Sequence, residues 1–327
     1  MKVLLTGATG FVGANVARAL IGAGHQVRAL VRPGSDTKAV DGLDIERIPG
    51  DIRDRESVAR AMPGVKAVVH CAALYSFWER DSRVFYETNV EGTRNVMEEA
   101  VRACVERVVY TSSTAVLGRP SSGVADESAE PGQGELTGHY RRSKYMAEKA
   151  VMRLAEEGLP VVVVNPSAPV GPWDVKPTRT GQIVLDFLRG RMFAYMDTGL
   201  NLVDVEDVAA GHLMALDKGK CGERYILGNR NMTLRQVLAS LSVITGRPAP
   251  RIRLAQPLVF AMAYLDQWIE GGLLRHRPFI PLEGIREARR PVWVDCSKAV
   301  TELGLPQSPI EGALEKSVKW FRDHHYV

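Results

Sequence analysis

Tyr140 and Lys144 stand four positions apart in Tyr140-Arg-Arg-Ser-Lys144, at the start of a segment with a helical pattern to about residue 157. Side chains four apart on a helix are neighbours on one face. A phenol with a pKa near 10 is a poor acid or base at neutral pH. An ammonium beside it favours the phenolate and brings it toward the working range. Thr111, Ser112 and Ser113 end an apolar run, and a hydroxyl at Ser113 could hold a substrate oxygen for proton exchange with the phenol. By itself Tyr-x-x-x-Lys is common on ordinary surface helices, so its meaning depends on the elements that position it.

The N-terminus supplies the first of those elements. Lys2 to Thr6 and Val27 to Val31 are apolar runs of strand length, and Val16, Ala17, Ala19, Leu20 and Ala23 recur between them at helical spacing. Gly7, Gly10 and Gly13 occupy the turn from strand to helix. Gly7 permits a tight turn, Gly10 exposes backbone to a ligand, and Gly13 lets helix and strand pack closely. The helix start, with Thr9, Phe11 and Val12, can then face a pyrophosphate with free N–H groups. The spacing is Gly-x-x-Gly-x-x-Gly, a variant of the usual fingerprint, and its placement reads as a dinucleotide site. A nicotinamide ring there would add positive charge near Tyr140, and the reaction would be hydride transfer.

At the end of the second strand, where NAD enzymes place an acid on the ribose 2′-hydroxyl, this chain has Val31 followed by Arg32. A guanidinium suits a 2′-phosphate, so NADP is preferred and NAD is the alternative. Asp51 and the Ile52 backbone follow a third strand and could meet the adenine edge, with Asp54 as the better cap for the next helix. Ala72 and Ala73 end a fourth strand and leave room for a cofactor. His70, inside that apolar run, reads as a packed core histidine. Pro160 to Asn165 is a continuous apolar strand, as a sheet covered on both faces requires.

These patterns predict an α/β fold: a Rossmann-type doubly wound parallel sheet with a smaller, mostly C-terminal substrate lobe. The expected dinucleotide-binding domain is 1–165 with returning segments near 202–228. Residues 166–201 and 229–327 are the expected substrate lobe. The 327 residues carry a net charge of +4 without a block of like charge, which argues against nucleic-acid binding. Cys71, Cys104, Cys221 and Cys296 are far apart, so neither a disulfide framework nor a metal site is expected. Residues 1–5 read as a core strand, so no signal peptide is expected, and Pro257 to Leu265 is about half a membrane span. A cytoplasmic protein is expected, with a membrane-peripheral location left open by the apolar 257–269 segment.

The chain resembles the extended short-chain dehydrogenase/reductase family in Thr6 to Gly13, Gly50 to Asp54, His70 to Ala73, Asn89 to Thr93, Thr111 to Gly118 and Tyr140 to Lys144. The resemblance implies that Ser113, Tyr140 and Lys144 are catalytic; Ser113 is favoured over Ser112 because it stands three residues before Val116. It also implies coenzyme contacts at Asn89, Pro166 and Ser167, and a homodimer through the helices at 89–104 and 140–157. Leu117 stands where the family usually has tyrosine. A narrower likeness is to the hopanoid-associated sugar epimerase group, also labelled dihydroflavonol-reductase-like. It rests on Val27 to Asp36, Asn165 to Pro172, Val175 to Thr178, Asp197 to Val203 and Asp207 to His212, with Asp204 where that group commonly has histidine.

Three functions follow. One is an NADP-dependent reductase or dehydrogenase acting at a carbonyl or secondary alcohol, in hopanoid side-chain metabolism. The second is a nucleotide-sugar epimerase with tightly bound NAD. The third, a nucleotide-sensing regulator, would be expected to lack Tyr140 or Lys144, and both are present. The substrate is small, lipid-linked or a nucleotide sugar. Tyr75, Phe77 and Trp78, and Trp173 in its proline-rich loop, are candidate pocket residues; packed core is the competing reading for each.

Overall fold

The computed structural model describes residues 1–120, 123–273, 276, 282–289 and 291–327. Twelve strands occur among them: β1 Lys2–Thr6, β2 Gln26–Val31, β3 Ile45–Pro49, β4 Ala67–His70, β5 Arg107–Thr111, β6 Val161–Pro166, β7 Ala168–Val170, β8 Ala194–Met196, β9 Gly199–Asp204, β10 Arg224–Leu227, β11 Arg230–Thr233 and β12 Ile252–Leu254. Seven form one parallel sheet in the order β10-β6-β5-β4-β1-β2-β3. The chain runs outward from β1 through β2 to β3, then returns to β4 on the other side of β1. That reversal opens a crevice beyond the carboxyl ends of β1 and β4, where doubly wound sheets bind ligands.

The helices are α1 Phe11–Gly22, α2 Arg55–Ala61, α3 Arg83–Tyr86, α4 Gly92–Arg102, α5 His139–Glu156, α6 Arg179–Leu188, α7 Val205–Lys218, α8 Leu234–Thr245, α9 Gln256–Asp266, α10 Leu282–Ala288 and α11 Ile310–Asp323. Alternation along the strands divides the core of the sheet. Val3 and Leu5 pack with Val16, Leu20 and Val208 of α1 and α7, while Leu4 and Val68 pack with Met97 and Val151 of α4 and α5. A third core joins Leu185, Leu241, Leu314 and Phe321 of α6, α8 and α11 against a three-stranded sheet, β11-β9-β7.

Within the expected returning segments near 202–228, β10 extends the large sheet at the β6 edge, whereas β9 pairs with β7 and β11. One helix differs from the sequence reading. The helix expected at 89–104 begins at Arg83 and passes through a π turn over Glu87–Glu91. Asn89 does not cap it; its side chain bonds to the backbone of Leu74 and to Ser143. Among the described residues no helix is long and apolar enough to cross a membrane.

Candidate active site

A cavity of about 710 Å³ lies over the crevice and extends toward α6, α9 and α10. Gly7, Thr9, Gly10, Phe11 and Val12 line one end of it, and Ser113, Tyr140 and Lys144 line its middle. Ser113 follows β5 in extended backbone and caps a single 3₁₀ turn, accepting from the Ala115 N–H at 3.1 Å. Behind it, Asn165 at the end of β6 donates to the Ser113 carbonyl (3.2 Å) and to Glu148 (2.8 Å). Arg141 donates to the Ala115 carbonyl at 2.6 Å and holds the same loop from the α5 side.

Gly138, at φ 87°, admits the chain into α5, so Tyr140 falls in its first turn. The Tyr140 ring is buried, 5.0 Å from the ring of Tyr75 in an edge contact. Burial pushes its phenol above the usual range; the Tyr75 phenol adds to this, and the Ser113 hydroxyl opposes it. The direction is opposite to the depression expected from Lys144. Desolvation is the largest effect on the phenol, and Lys144 Nζ donates elsewhere, to the Tyr110 hydroxyl (2.9 Å) and the Thr111 carbonyl (2.8 Å). Burial lowers the Lys144 pKa to about 8.

The coenzyme half fits a dinucleotide. Gly7 has φ 74°, and a Cβ there would come within 2.6 Å of Ala72 N. A Cβ at Gly13 would collide with the Gly7 carbonyl, whereas at Gly10 the nearest atom would be 3.3 Å away. The turn therefore presents uncovered backbone to the cavity at Gly10 and packs tightly at the other two glycines. Ala73, Pro166 and Ser167 line the cavity, and the buried Ser167 hydroxyl has no partner within the chain. Residues 7–12 would hold the pyrophosphate and Lys144 a ribose.

Other candidates lie outside the cavity wall. Arg32 is exposed at the end of β2, and its charge helps hold the Asp51 carboxyl low, although the main cause is the bond from Arg53. Asp51 is paired to Arg53 at 2.8 Å, and Ile52 packs under Gly92. Ala72 packs against the core behind the strand end. Asn89 is a staple between the loop after β4 and α5 rather than part of the cavity wall, because its amide is consumed by Leu74 and Ser143.

Tyr75 and Phe77 line the substrate half, but Trp78 and Trp173 do not. Trp78 sits in a turn closed by the Ser76 hydroxyl. Trp173, at φ 73°, is covered by the Arg18 guanidinium 3.6 Å away and lies beside Trp320 and His324. It welds α1 to α11. Asp204, the departure from the narrower group, is buried at the start of α7, where it accepts from Glu206 N–H and pairs with Lys316 at 2.8 Å.

His70 is a core residue, bonded to Thr6 (2.6 Å) and Thr93 (3.0 Å), with its pKa depressed to about 3 by burial. Several side chains near the site were not singled out from the sequence. His212 on α7 lies 2.9 Å from the Thr111 hydroxyl; Arg119, Arg179 and Glu287 reach the substrate half from three separate segments.

The chain matches the NAD dependent epimerase/dehydratase family over residues 3–228. It belongs to that family. A Synechocystis sp. protein provisionally named dihydroflavonol 4-reductase is 47% identical, over 99% of this chain and 95% of that protein. Sterol demethylase protein B of Methylococcus capsulatus is 40% identical over the whole of both chains. The crystal structure of gox2253 superposes with a TM-score of 0.88 at 42% identity, covering 99% of each chain. The protein is an enzyme of the extended short-chain dehydrogenase/reductase type, NAD(P)-dependent as its family is.

Proposed function

We propose that this family member is an NADP-dependent reductase of an apolar ketone or aldehyde, with the corresponding secondary or primary alcohol as product. The carrying observation is the substrate half, walled by Val175, Ile183, Met196, Leu200, Val259 and Ile285. Of the cations at this half, Arg179 is paired with Glu287 at 2.9 Å through one nitrogen and Arg119 donates to the Glu287 carbonyl at 2.8 Å, which leaves the exposed Lys176 as the lining cation not drawn to Glu287. A nucleotide sugar needs free cations for its phosphates, whereas a lipidic substrate needs this kind of wall. The sterol named in one relative fits the same chemistry, and a hopanoid side chain is the instance suggested by the narrower resemblance.

When bound, the nicotinamide coenzyme supplies the hydride. Ser113 hydrogen-bonds the carbonyl oxygen and fixes it beside the Tyr140 hydroxyl. Tyr140 donates its proton as that oxygen gains charge; the raised pKa keeps the phenol protonated at neutral pH. Lys144, largely protonated at pH 7 with a pKa of about 8, keeps a positive charge on the Tyr140 face of α5 while its donors hold the Tyr110 hydroxyl and the Thr111 carbonyl. The apolar walls exclude water.

The test is nucleotide content followed by turnover. Freshly purified protein is denatured, any released nucleotide is identified, and the remaining protein is titrated with NADPH and NADH. Binding of NADPH about tenfold ahead of NADH, lost in Arg32→Glu, and NADPH oxidation with apolar ketones support the reading. Near-stoichiometric retained NAD, with interconversion of a nucleotide sugar, would replace it with the epimerase.

A further inference from the structure

Helix α9 and the π-helical stretch that follows it, Gln267–Leu273, form an unusually apolar outer surface. Leu258, Met262 and Leu265 recur at spacings of four and three, so they project from one face. They are 51%, 40% and 60% exposed, and Trp268 and Ile269 continue the surface at 69% and 42%. On the opposite side, Val259 and Ala263 are buried, and Val259 lines the cavity. The helix therefore has one apolar face toward the substrate half and another toward solvent. An exposed patch of that kind marks an interaction surface.

Charge identifies the partner. The segment 247–291 contains eight arginines against four acidic residues, a surplus equal to the +4 of the entire chain. Around α9 the described arginines are exposed: Arg251 and Arg253 precede it, Arg289 lies beside Gln256, and Arg286 donates to the Tyr264 hydroxyl at 3.3 Å. Arg253 is partly neutralised by Asp197. An apolar stripe with a cationic rim, on a helix too short to span, is the composition of a segment that lies in a bilayer interface.

We propose that the outer face of α9 and its π-helical extension docks this enzyme on an anionic lipid surface. The apolar residues enter the acyl boundary and the arginines meet the headgroups. The wall carrying Val259 then lies one helix thickness from the lipid, the shortest route for an apolar substrate. The docking itself is read without turnover, so it stands or falls separately from the proposed reaction.

The test is flotation of the full chain with vesicles of phosphatidylcholine alone and of phosphatidylcholine mixed with phosphatidylglycerol. The protein is expected to float with the anionic vesicles roughly tenfold or more better than with the neutral ones, and to be released by high salt. Leu265→Glu with Trp268→Glu should abolish flotation without lowering the melting temperature. Arg251→Glu with Arg289→Glu, which leaves the apolar face intact, should remove the preference for anionic vesicles. Failure of the unaltered protein to float, or flotation of the first double variant like the unaltered protein, overturns the proposal. So does a dimer, seen by sedimentation, that this double variant dissolves, since a second copy would then cover the face.

Discussion

Arg179 donates to Glu287 at 2.9 Å, and this pair joins the start of α6 to α10 across the substrate half. The Arg179 guanidinium also packs on the Phe77 ring and lies 5.2 Å from that of Tyr75, which in turn meets Tyr140 edge-on. Charge, aromatic wall and reacting phenol are thus one contiguous structure. The Glu287 side chain is 12% exposed, so removing Arg179 alone strands a mostly buried carboxylate. Arg179→Met is expected to cost more stability than Arg179→Met combined with Glu287→Met. A double-mutant cycle by urea unfolding should return a coupling of about 1–3 kcal/mol.

Tyr140→Phe removes one oxygen and little packing. Turnover is expected to fall by about 10²- to 10⁴-fold while the melting temperature and coenzyme affinity hold. Steady-state NADPH oxidation and a thermal melt on the same preparation check this. Loss of the fold together with activity would instead make the phenol structural.

The glycine turn should separate folding from coenzyme binding. At Gly13 a Cβ meets the Gly7 carbonyl, which is backbone and cannot yield cheaply, so Gly13→Ala is expected to destabilise by about 2 kcal/mol or more. At Gly10 the same Cβ would lie 3.3 Å from the Gly7 carbonyl oxygen, a tight contact relieved by a shift of a few tenths of an ångström, so Gly10→Ala should lose less stability than Gly13→Ala. Its coenzyme affinity should nevertheless fall, because the methyl group stands where the backbone faces the cavity. Paired urea and NADPH titrations distinguish the two.

Burial lowers the His212 pKa to about 4, against the usual 6.5. The unfolded chain therefore takes up a proton that the folded chain refuses, and stability is lost as pH falls from about 6.5 toward 4. The slope contributed is about 1.4 kcal/mol per pH unit at its steepest. Asp174 and Glu283, both raised to about 7 by burial, act in the opposite sense, losing stability as pH rises from the ordinary carboxylate range to 7. The measurable quantity is thus a difference. His212→Gln should flatten the acid side of the stability profile relative to the unaltered protein, by urea unfolding at several pH values between 4 and 7.

The sheet, the glycine turn and the Tyr140–Lys144 face were legible because each rests on short-range rules. A strand buried on both sides must be continuously apolar, as in Val161 to Val164, and a turn at φ 74° with backbone pressed against Ala72 must be glycine, as at Gly7. Helical periodicity likewise puts Tyr140 and Lys144 on one face. The membership of β9 in a separate sheet was not legible, because strand pairing depends on partners 30 residues away in the chain, as Asn201 pairs with Asn231.

Only tertiary structure decided what the neighbouring groups do to one another. Tyr140 and Lys144 are adjacent in pattern, yet the ammonium is drawn to Tyr110 and Thr111, and burial, an outcome of the whole fold, moves the phenol upward. Trp78 and Trp173 have the composition of pocket residues, but a serine turn holds one and Arg18 and Trp320 hold the other. The charge of Arg179 is spent on a carboxylate 108 positions away. Local sequence determines which conformations a segment can adopt; desolvation and long-range pairing are set by residues that meet only when the chain has folded.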